Sequence, residues 1–474
     1  MSGAFRPYLL AFVVCLGAVT AFPRRRLWSQ NVKKVRVGEA VERRIASLEG
    51  EVVDGTFRVS PDCRHVAYVV RLEGGLAVVV DDKRGKRYDD LTAGAPVFSP
   101  DGKRVAYGAL LGGKAFLVVD GEKKGAEYDA VLPRSVVFSP DSRRVAYAAV
   151  AGEEMFVVVD GEEGKRYAGV SPPIFSPDSK RTAHLALVGG KSVVVVDGEE
   201  GKGYDDIGMG SLVFSPDSKR VAYVARKGEK WVVVVDGKEN GPYEAIGEGG
   251  VLFSPDGRRL AYTAIVGGKS FVVVDGKEGG RYDAVMRTTP VFSPDGRRLA
   301  YAALRDGKWT VVMDGEEGRK HEGIGAGSFH FGRRGRRFAY AAVSSGRWFM
   351  VIDGKAQKSY RLVGMTDVFD PRGRRFAYHA LGDDGCFVVV DGKEGKRYAR
   401  IGPGCPVFSP DGRHLAYLAH DGEKWFVVVD GEEGKRYDGI AMSGGGRLFW
   451  ESARKLRYIV VKGRDVYVVE ERLR

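Results

Sequence analysis

The sequence predicts an all-β fold built from eleven copies of one small antiparallel sheet. Three observations predict it: a decapeptide that returns at near-constant spacing, turn residues that cut each copy into four short segments, and third segments made almost wholly of valine. The decapeptide is Phe292-Ser293-Pro294-Asp295-Gly296-Arg297-Arg298-Leu299-Ala300-Tyr301. Its serine position falls at Ser60, Ser99, Ser139, Ser176, Ser215, Ser254, Ser293, Gly332, Asp370, Ser409 and Trp450, a step of 37 to 41 residues. A period of this size signals stacked repeats before any local reading is attempted.

One copy justifies the four segments. Val251-Leu252-Phe253 is a short apolar run. Ser254-Pro255-Asp256-Gly257 is a type I turn signal, with proline presetting φ at the second position and glycine at the fourth. Leu260-Ala261-Tyr262-Thr263-Ala264 follows, and Gly267-Gly268 ends it. Phe271-Val272-Val273-Val274-Asp275-Gly276 is β-branched and aromatic, as strands prefer. Lys277-Glu278-Gly279-Gly280 is read as the next turn and residues 281–285 as the fourth strand. No window has an apolar spacing suited to a long helix. A four-stranded sheet this small cannot stand alone, and its valine runs demand burial on both faces. Copies arranged around an axis supply that burial, which is the logic of a β-propeller.

The motif F-S-P-D-G-(R/K)-(R/K)-(L/V)-A-Y followed by V-V-V-D-G resembles the WD40-like, TolB-type propeller repeat, also called PD40. It covers nearly the whole chain after residue 38. The Gly-His and Trp-Asp marks of true WD40 repeats are absent. Two copies depart from the pattern: Phe331-Gly332-Arg333-Arg334 and Phe369-Asp370-Pro371-Arg372 lose the Ser-Pro-Asp turn. The small α/β domain that precedes the propeller in TolB is also missing, as is the α/β-hydrolase domain of the peptidases that carry such propellers. The resemblance implies work in the periplasm or cell envelope.

The ends of the chain complete the architecture. Residues 8–22 are apolar and uncharged. They suit a signal-peptide core better than a spanning helix, which needs roughly 20 residues. Arg24-Arg25-Arg26 follow directly, and such charges resist translocation, so a membrane anchor with the propeller in the cytosol is the alternative. The expected division is residues 1–23 as signal peptide or anchor, 24–38 as a basic linker and 39–474 as propeller. The last copy has only three strands, at residues 447–450, 456–461 and 465–469. Residues 44–48 are expected to supply the fourth and to remove an exposed edge. Eleven blades exceed the usual four to eight of one ring. Two rings of five and six blades are therefore expected, split between residues 205 and 295, with one large ring as the alternative.

Net charge is +13, but residues 1–38 hold seven basic residues and no acidic one. The remainder is spread over more than 400 residues, so the basic balance alone argues for no specific nucleic acid. Cys63, Cys386 and Cys405 show no C-x-x-C spacing and read as small hydrophobes rather than metal ligands. The seven histidines form no H-E-x-x-H, and there is no G-x-S-x-G. His184 and His321 replace tyrosines of the repeat and read as core substitutes. The aspartates of the Asp430 type read as turn-setting residues, since no position gathers the six to eight oxygens of a Ca²⁺ site. No catalytic residue, cofactor or metal is expected.

Binding is the expected function. Segments that differ between copies are read as loops of one face, and specificity tends to reside in such loops. They nominate Met286, Arg287, Phe329, His330, Met365 and Asp367 as contacts for a protein or peptide partner in the envelope. The basic pairs, such as Lys103-Arg104, Lys219-Arg220 and Arg258-Arg259, are expected to cover the sheets and pair with acids. Arginine concentrates in the two degenerate copies, which nominates Arg333, Arg334 and Arg372 as a basic patch. The alternatives are a propeller hydrolase or lyase acting on a glycan or peptide, and a polyanion-binding protein.

Overall fold

The computed structural model describes residues 40–364, 368–441 and 446–473. All regular structure there is β, in eleven antiparallel sheets. Blades 1 to 11 open at residues 51, 90, 130, 170, 206, 245, 284, 323, 362, 400 and 439. The signal-peptide and linker readings fall outside the described residues, as do Met365, Asp367 and residues 442–445.

Blade 7 shows how each copy forms. Its first strand comes in two pieces, Ala284–Val285 and Val291–Phe292, both paired with the second strand, Leu299–Arg305. The third strand is Lys308–Met313 and the fourth Glu316–His321. Asp314 and Gly315 alone join the last two, and both have positive φ, 54° and 91°. That is a two-residue hairpin whose twist matches the flanking strands, and Asp-Gly is its strongest sequence signal.

The same hairpin corrects the sequence reading of blade 6. Val274 pairs with Lys277, so the turn is Asp275-Gly276 and the fourth strand begins at once. Tyr282 bridges back to Ser270, while Ala284–Val285 opens the next blade. A second correction follows from the divided first strand. The variable segments, such as residues 286–290, are turns inserted midway along the first strand, between its two paired halves. They are not loops at the end of the ring opposite the Ser-Pro-Asp turns.

The core lies between blades. Second and third strands present Val, Ala and Tyr to both neighbours, and one buried cluster joins Ala300, Ala302 and Val311 of blade 7 to Phe338 and Tyr340 of blade 8. Comparable clusters join every consecutive pair through blade 11. A last cluster packs Ile459, Val466 and Val468 of blade 11 on Val59, Val66 and Tyr68 of blade 1. The blades therefore make one ring, the alternative arrangement, and not the expected five and six. Two rings would have paired blade 5 with blade 1, whereas blade 5 packs on blade 6 through Val233 and Phe253. Tyrosines mark these seams: Tyr282 meets Tyr301 edge to face at 6.1 Å, as Tyr398 does Tyr417.

A second, polar device crosses the seams. In each of blades 1 to 10 the third strand ends in an aspartate with φ near 50°. One oxygen accepts the N–H that starts the second strand, for example Leu260 to Asp275 at 2.8 Å. The other pairs with the second residue of the basic pair, as in Arg259–Asp275 at 3.1 Å and Arg144–Asp160 at 2.7 Å. In most blades that arginine then reaches the next blade. Arg259 donates to the Arg297 carbonyl and lies 5.3 Å from the Phe292 ring. Arg144 donates to the Ser179 and Lys180 carbonyls and lies over Phe175. His65 and His414 take the arginine's place in blades 1 and 10.

The seam between blades 11 and 1 is closed by the chain's own start. Val41–Ser47 pairs antiparallel with Asp465–Arg472 as the fourth strand of blade 11, as expected for residues 44–48. Ile45 and Ala46 enter the buried cluster. Burial alone would raise the Glu42 carboxyl, but hydrogen bonds from Lys435, Lys462 and Tyr437 overcome it and hold it at about 2. Arg457 replaces the usual alanine and is fully buried between Glu451 and Glu470, donating to the Asp62 carbonyl of blade 1 at 2.9 Å. Deleting residues 39–50 removes this strand and uncovers Val466 and Val468. The expected result is a loss of several kcal/mol, seen in calorimetry as a melting point lower by roughly 5 °C. An unchanged melting point would show that the ring closes without it.

Candidate anion-binding surface

The turns between first and second strands share one end of the ring with the Asp-Gly hairpins. In a standard turn the serine hydroxyl donates to the aspartate two residues on, at 2.5 Å for Ser254 and Asp256, and accepts the N–H of Arg259 at 2.9 Å. The aspartate also accepts the next basic residue's N–H, here that of Arg258 at 3.2 Å. The Ser254 bond is the largest influence holding the Asp256 carboxyl below its ordinary value. The turn thus carries one carboxylate and one exposed cation, Arg258, since Arg259 is committed to the seam. Charge nearly cancels around most of this end.

Blades 8 and 9 break the balance. Arg334 and Arg372 stand where eight other turns have aspartate. In blade 9 Asp370 takes over the work of both serine and aspartate: it is buried and accepts the N–H groups of Arg372, Arg374 and Arg375 at 3.1, 2.6 and 2.6 Å. In blade 8 nothing replaces them, and Gly332 and Gly335 hold the turn through a backbone bond of 2.7 Å. Arg337 and Arg375 remain seam residues, paired with Asp353 at 2.8 Å and Asp391 at 3.1 Å. Arg333, Arg334, Arg336, Arg372 and Arg374 are exposed and make no ion pair among the described residues.

A neighbouring signal, absent from the sequence reading, reinforces the patch. The hairpin of blade 8 continues Lys355-Ala356-Gln357-Lys358, where those of blades 7 and 9 carry Glu316-Glu317 and Glu394. Blade 8 is the only one of the first ten whose hairpin lacks an acid between the seam aspartate and the closing aromatic residue. Between blades 7 and 8 a depression of about 460 Å³ opens, lined by Asp295, Arg297, Arg298, Arg334, Gly335 and Arg336. No apolar side chain lines it. The arginines nominated from sequence, Arg333, Arg334 and Arg372, therefore lie on one surface, and Arg334 lines its depression.

Of the residues nominated for a protein partner, the four among the described residues form no common exposed surface. Phe329 is buried in the core between blades 7 and 8, with Met286 packed against it. His330 lies in the first strand of blade 8 and pairs with Ala339 of the second. Arg287 is exposed and paired with Glu248 at 2.7 Å. Among the described residues no group of three or more His, Cys, Asp or Glu is placed to hold a metal ion. Cys405 is buried, its sulfur accepting the Leu418 N–H at 3.4 Å. His379 is half-buried beside it and meets the Cys405 carbonyl at 3.0 Å.

No family model matches the sequence, and no curated protein matches it either. Among solved structures the chain is similar to a eukaryotic initiation factor, at 12% identity over 66% of this chain and 90% of that one, with a TM-score of 0.38. It is also similar to the β-propeller domain of the trilobed protease from Pyrococcus furiosus, at 17% identity over 57% and 97%, with a TM-score of 0.28. TolB from Acinetobacter baumannii is matched at 14% identity over 71% and 78%, with a TM-score of 0.25. The neighbours also include an enzyme, the dihydro-heme d1 dehydrogenase NirN. These likenesses bear on the fold alone.

His184 and His321 occupy tyrosine positions of the seams, as the sequence suggested. His184 meets Tyr167 edge to face at 6.1 Å, and burial lowers its pKa to about 4. The folded protein therefore favours neutral imidazole. The contribution is fully present above the ordinary value near 6.5 and is lost as pH falls toward 4, by roughly 3 kcal/mol at most. His184→Tyr restores the repeat and should lose less thermal stability than the parent between pH 7 and pH 4. Parallel losses in the two proteins would assign the acid sensitivity elsewhere.

Proposed function

We propose that this chain is a non-enzymatic β-propeller scaffold that holds an anionic partner on the arginine surface of blades 7 to 9. The observation that carries the reading is the replacement of the turn aspartate by Arg334 and Arg372 in adjacent blades. Each replacement changes the local charge by two, and neither arginine is consumed in packing. Clustered guanidinium groups free of acids attract polyanions, and Arg suits carboxylate or phosphate through paired N–H donors. The partner is placed in the cell envelope, a reading supported by the export-like run at residues 8–22.

Salt-dependent retention on immobilised heparin tests this, because each lost cation–anion contact lowers the salt dependence. The double variant Arg334→Asp/Arg372→Asp should elute at clearly lower salt than Lys103→Asp/Lys219→Asp. Both carry the same change in net charge, and Lys103 and Lys219 are exposed in blades 2 and 5. Co-elution of the two variants would remove the surface from consideration and leave only non-specific charge.

A further inference from the structure

The depression between blades 7 and 8 coincides with a break in the seam device. In most other seams the arginine closes on the next turn: Arg104 on the Ser142 and Arg143 carbonyls, Arg337 on those of Gly373 and Arg374, Arg375 on that of Arg413, whereas Arg220 keeps only its place over Phe253. Each also lies over a phenylalanine of the next blade. Arg298 keeps its own aspartate, Asp314 at 3.0 Å, but its other nitrogen turns back to the Met313 sulfur. Among the described residues it makes no hydrogen bond to blade 8. The phenylalanine it would have covered, Phe331, packs on Phe338 at 4.6 Å instead. The turn of blade 8 that Arg298 faces lacks Ser-Pro-Asp, and the gap lies beside it.

We propose that this gap is a subsite for a phosphate or sulfate ester group, held by Arg297, Arg298, Arg334 and Arg336. The inference rests on the anionic-partner reading and names the chemistry of its ligand. Four guanidinium groups and one carboxylate, Asp295, line it, and Arg298 is also paired with Asp314, so two carboxylates face four cations. A single carboxylate ligand carries one charge and two oxygens, too little for that donor set. A phosphate monoester carries a charge of about −1.5 to −2 at neutral pH and three strong acceptor oxygens. The planar guanidinium fork fits such oxygens in pairs. A volume of about 460 Å³ admits the group with the atoms that attach it. Pockets for apolar small molecules are lined mostly by hydrophobic side chains, and this one has none.

The test is calorimetric titration of the full chain with inorganic pyrophosphate, sulfate and oligoglutamate at constant ionic strength. Pyrophosphate should bind saturably at one site. Arg334→Asp should weaken it at least tenfold, and Lys103→Asp should leave it unchanged. Arg334→Asp restores the residue found in eight other turns, and Arg336→Gln, with an expected weakening of several-fold, guards against misfolding of the first variant. Sulfate binding with the same sensitivity to Arg334→Asp assigns the site to tetrahedral oxyanions in general, and its absence assigns it to phosphate. Pyrophosphate heats that do not saturate, or that ignore Arg334→Asp, would overturn the subsite. Oligoglutamate binding in place of pyrophosphate would also overturn it while leaving the broader reading intact. Only loss of the heparin difference as well removes both.

Discussion

The ring depends on a repeated aspartate that does two jobs at once. It ends the third strand in a left-handed turn and ties that turn to the first N–H of the second strand, at 2.8–3.0 Å in all ten copies. Its second oxygen aims an arginine at the next blade. The ion pair itself is half exposed and contributes between about 0 and 1 kcal/mol. The carbonyl bond adds about 1 kcal/mol, and the ring contact about 0.5 to 1. A seam with the full device, such as that of Arg144 or Arg259, thus gains about 2 kcal/mol beyond its apolar core, and the gain recurs in most seams of the circle.

That repetition explains why eleven blades share one axis. Most seams use the same residues at the same height, so they set nearly the same wedge between blades, and none invites the ring to close early. The exception is the seam that joins the two ends of the chain. There the third strand ends in Glu470 and Glu471 instead of the aspartate. Arg457, buried between Glu451 and Glu470, supplies the bond across the seam. Breaking a buried pair of this kind strands a charge, at a cost of about 3 to 5 kcal/mol. Closure therefore rests on a local ionic cluster and a borrowed strand where the other seams use the repeat.

Much of this was legible because it is local. Ser-Pro-Asp-Gly and the valine runs are encoded within a few residues of where they act, and the fourth strand absent from blade 11 shows as a truncated last copy. The ring count was not legible, since the wedge angle arises from side chains of two blades packing face to face. The fourth strand of blade 6 was started four residues late because glycines beyond the Asp275-Gly276 hairpin imitate a second turn. Residues such as Phe329 looked like loop residues because the first strand is interrupted, yet they resume pairing and burial at once. The basic patch was visible in Arg333, Arg334 and Arg372. Its reinforcement at Lys355-Ala356-Gln357 was missed, although the lost glutamates were its signal.

The candidate site is best understood as a place where the repeat stops doing its structural work. Arginines that elsewhere balance an acid or reach a carbonyl are left facing solvent between blades 7 and 8. The central claim is that one arginine of each basic pair builds the ring and the other does not. Calorimetry on Arg259→Ala and Arg258→Ala tests it most directly, because the two remove equal charge from adjacent positions. Arg259→Ala should melt several degrees lower, in line with a loss of about 2 kcal/mol, while Arg258→Ala stays within about one degree of the parent. Equal melting points for the two variants would contradict the account.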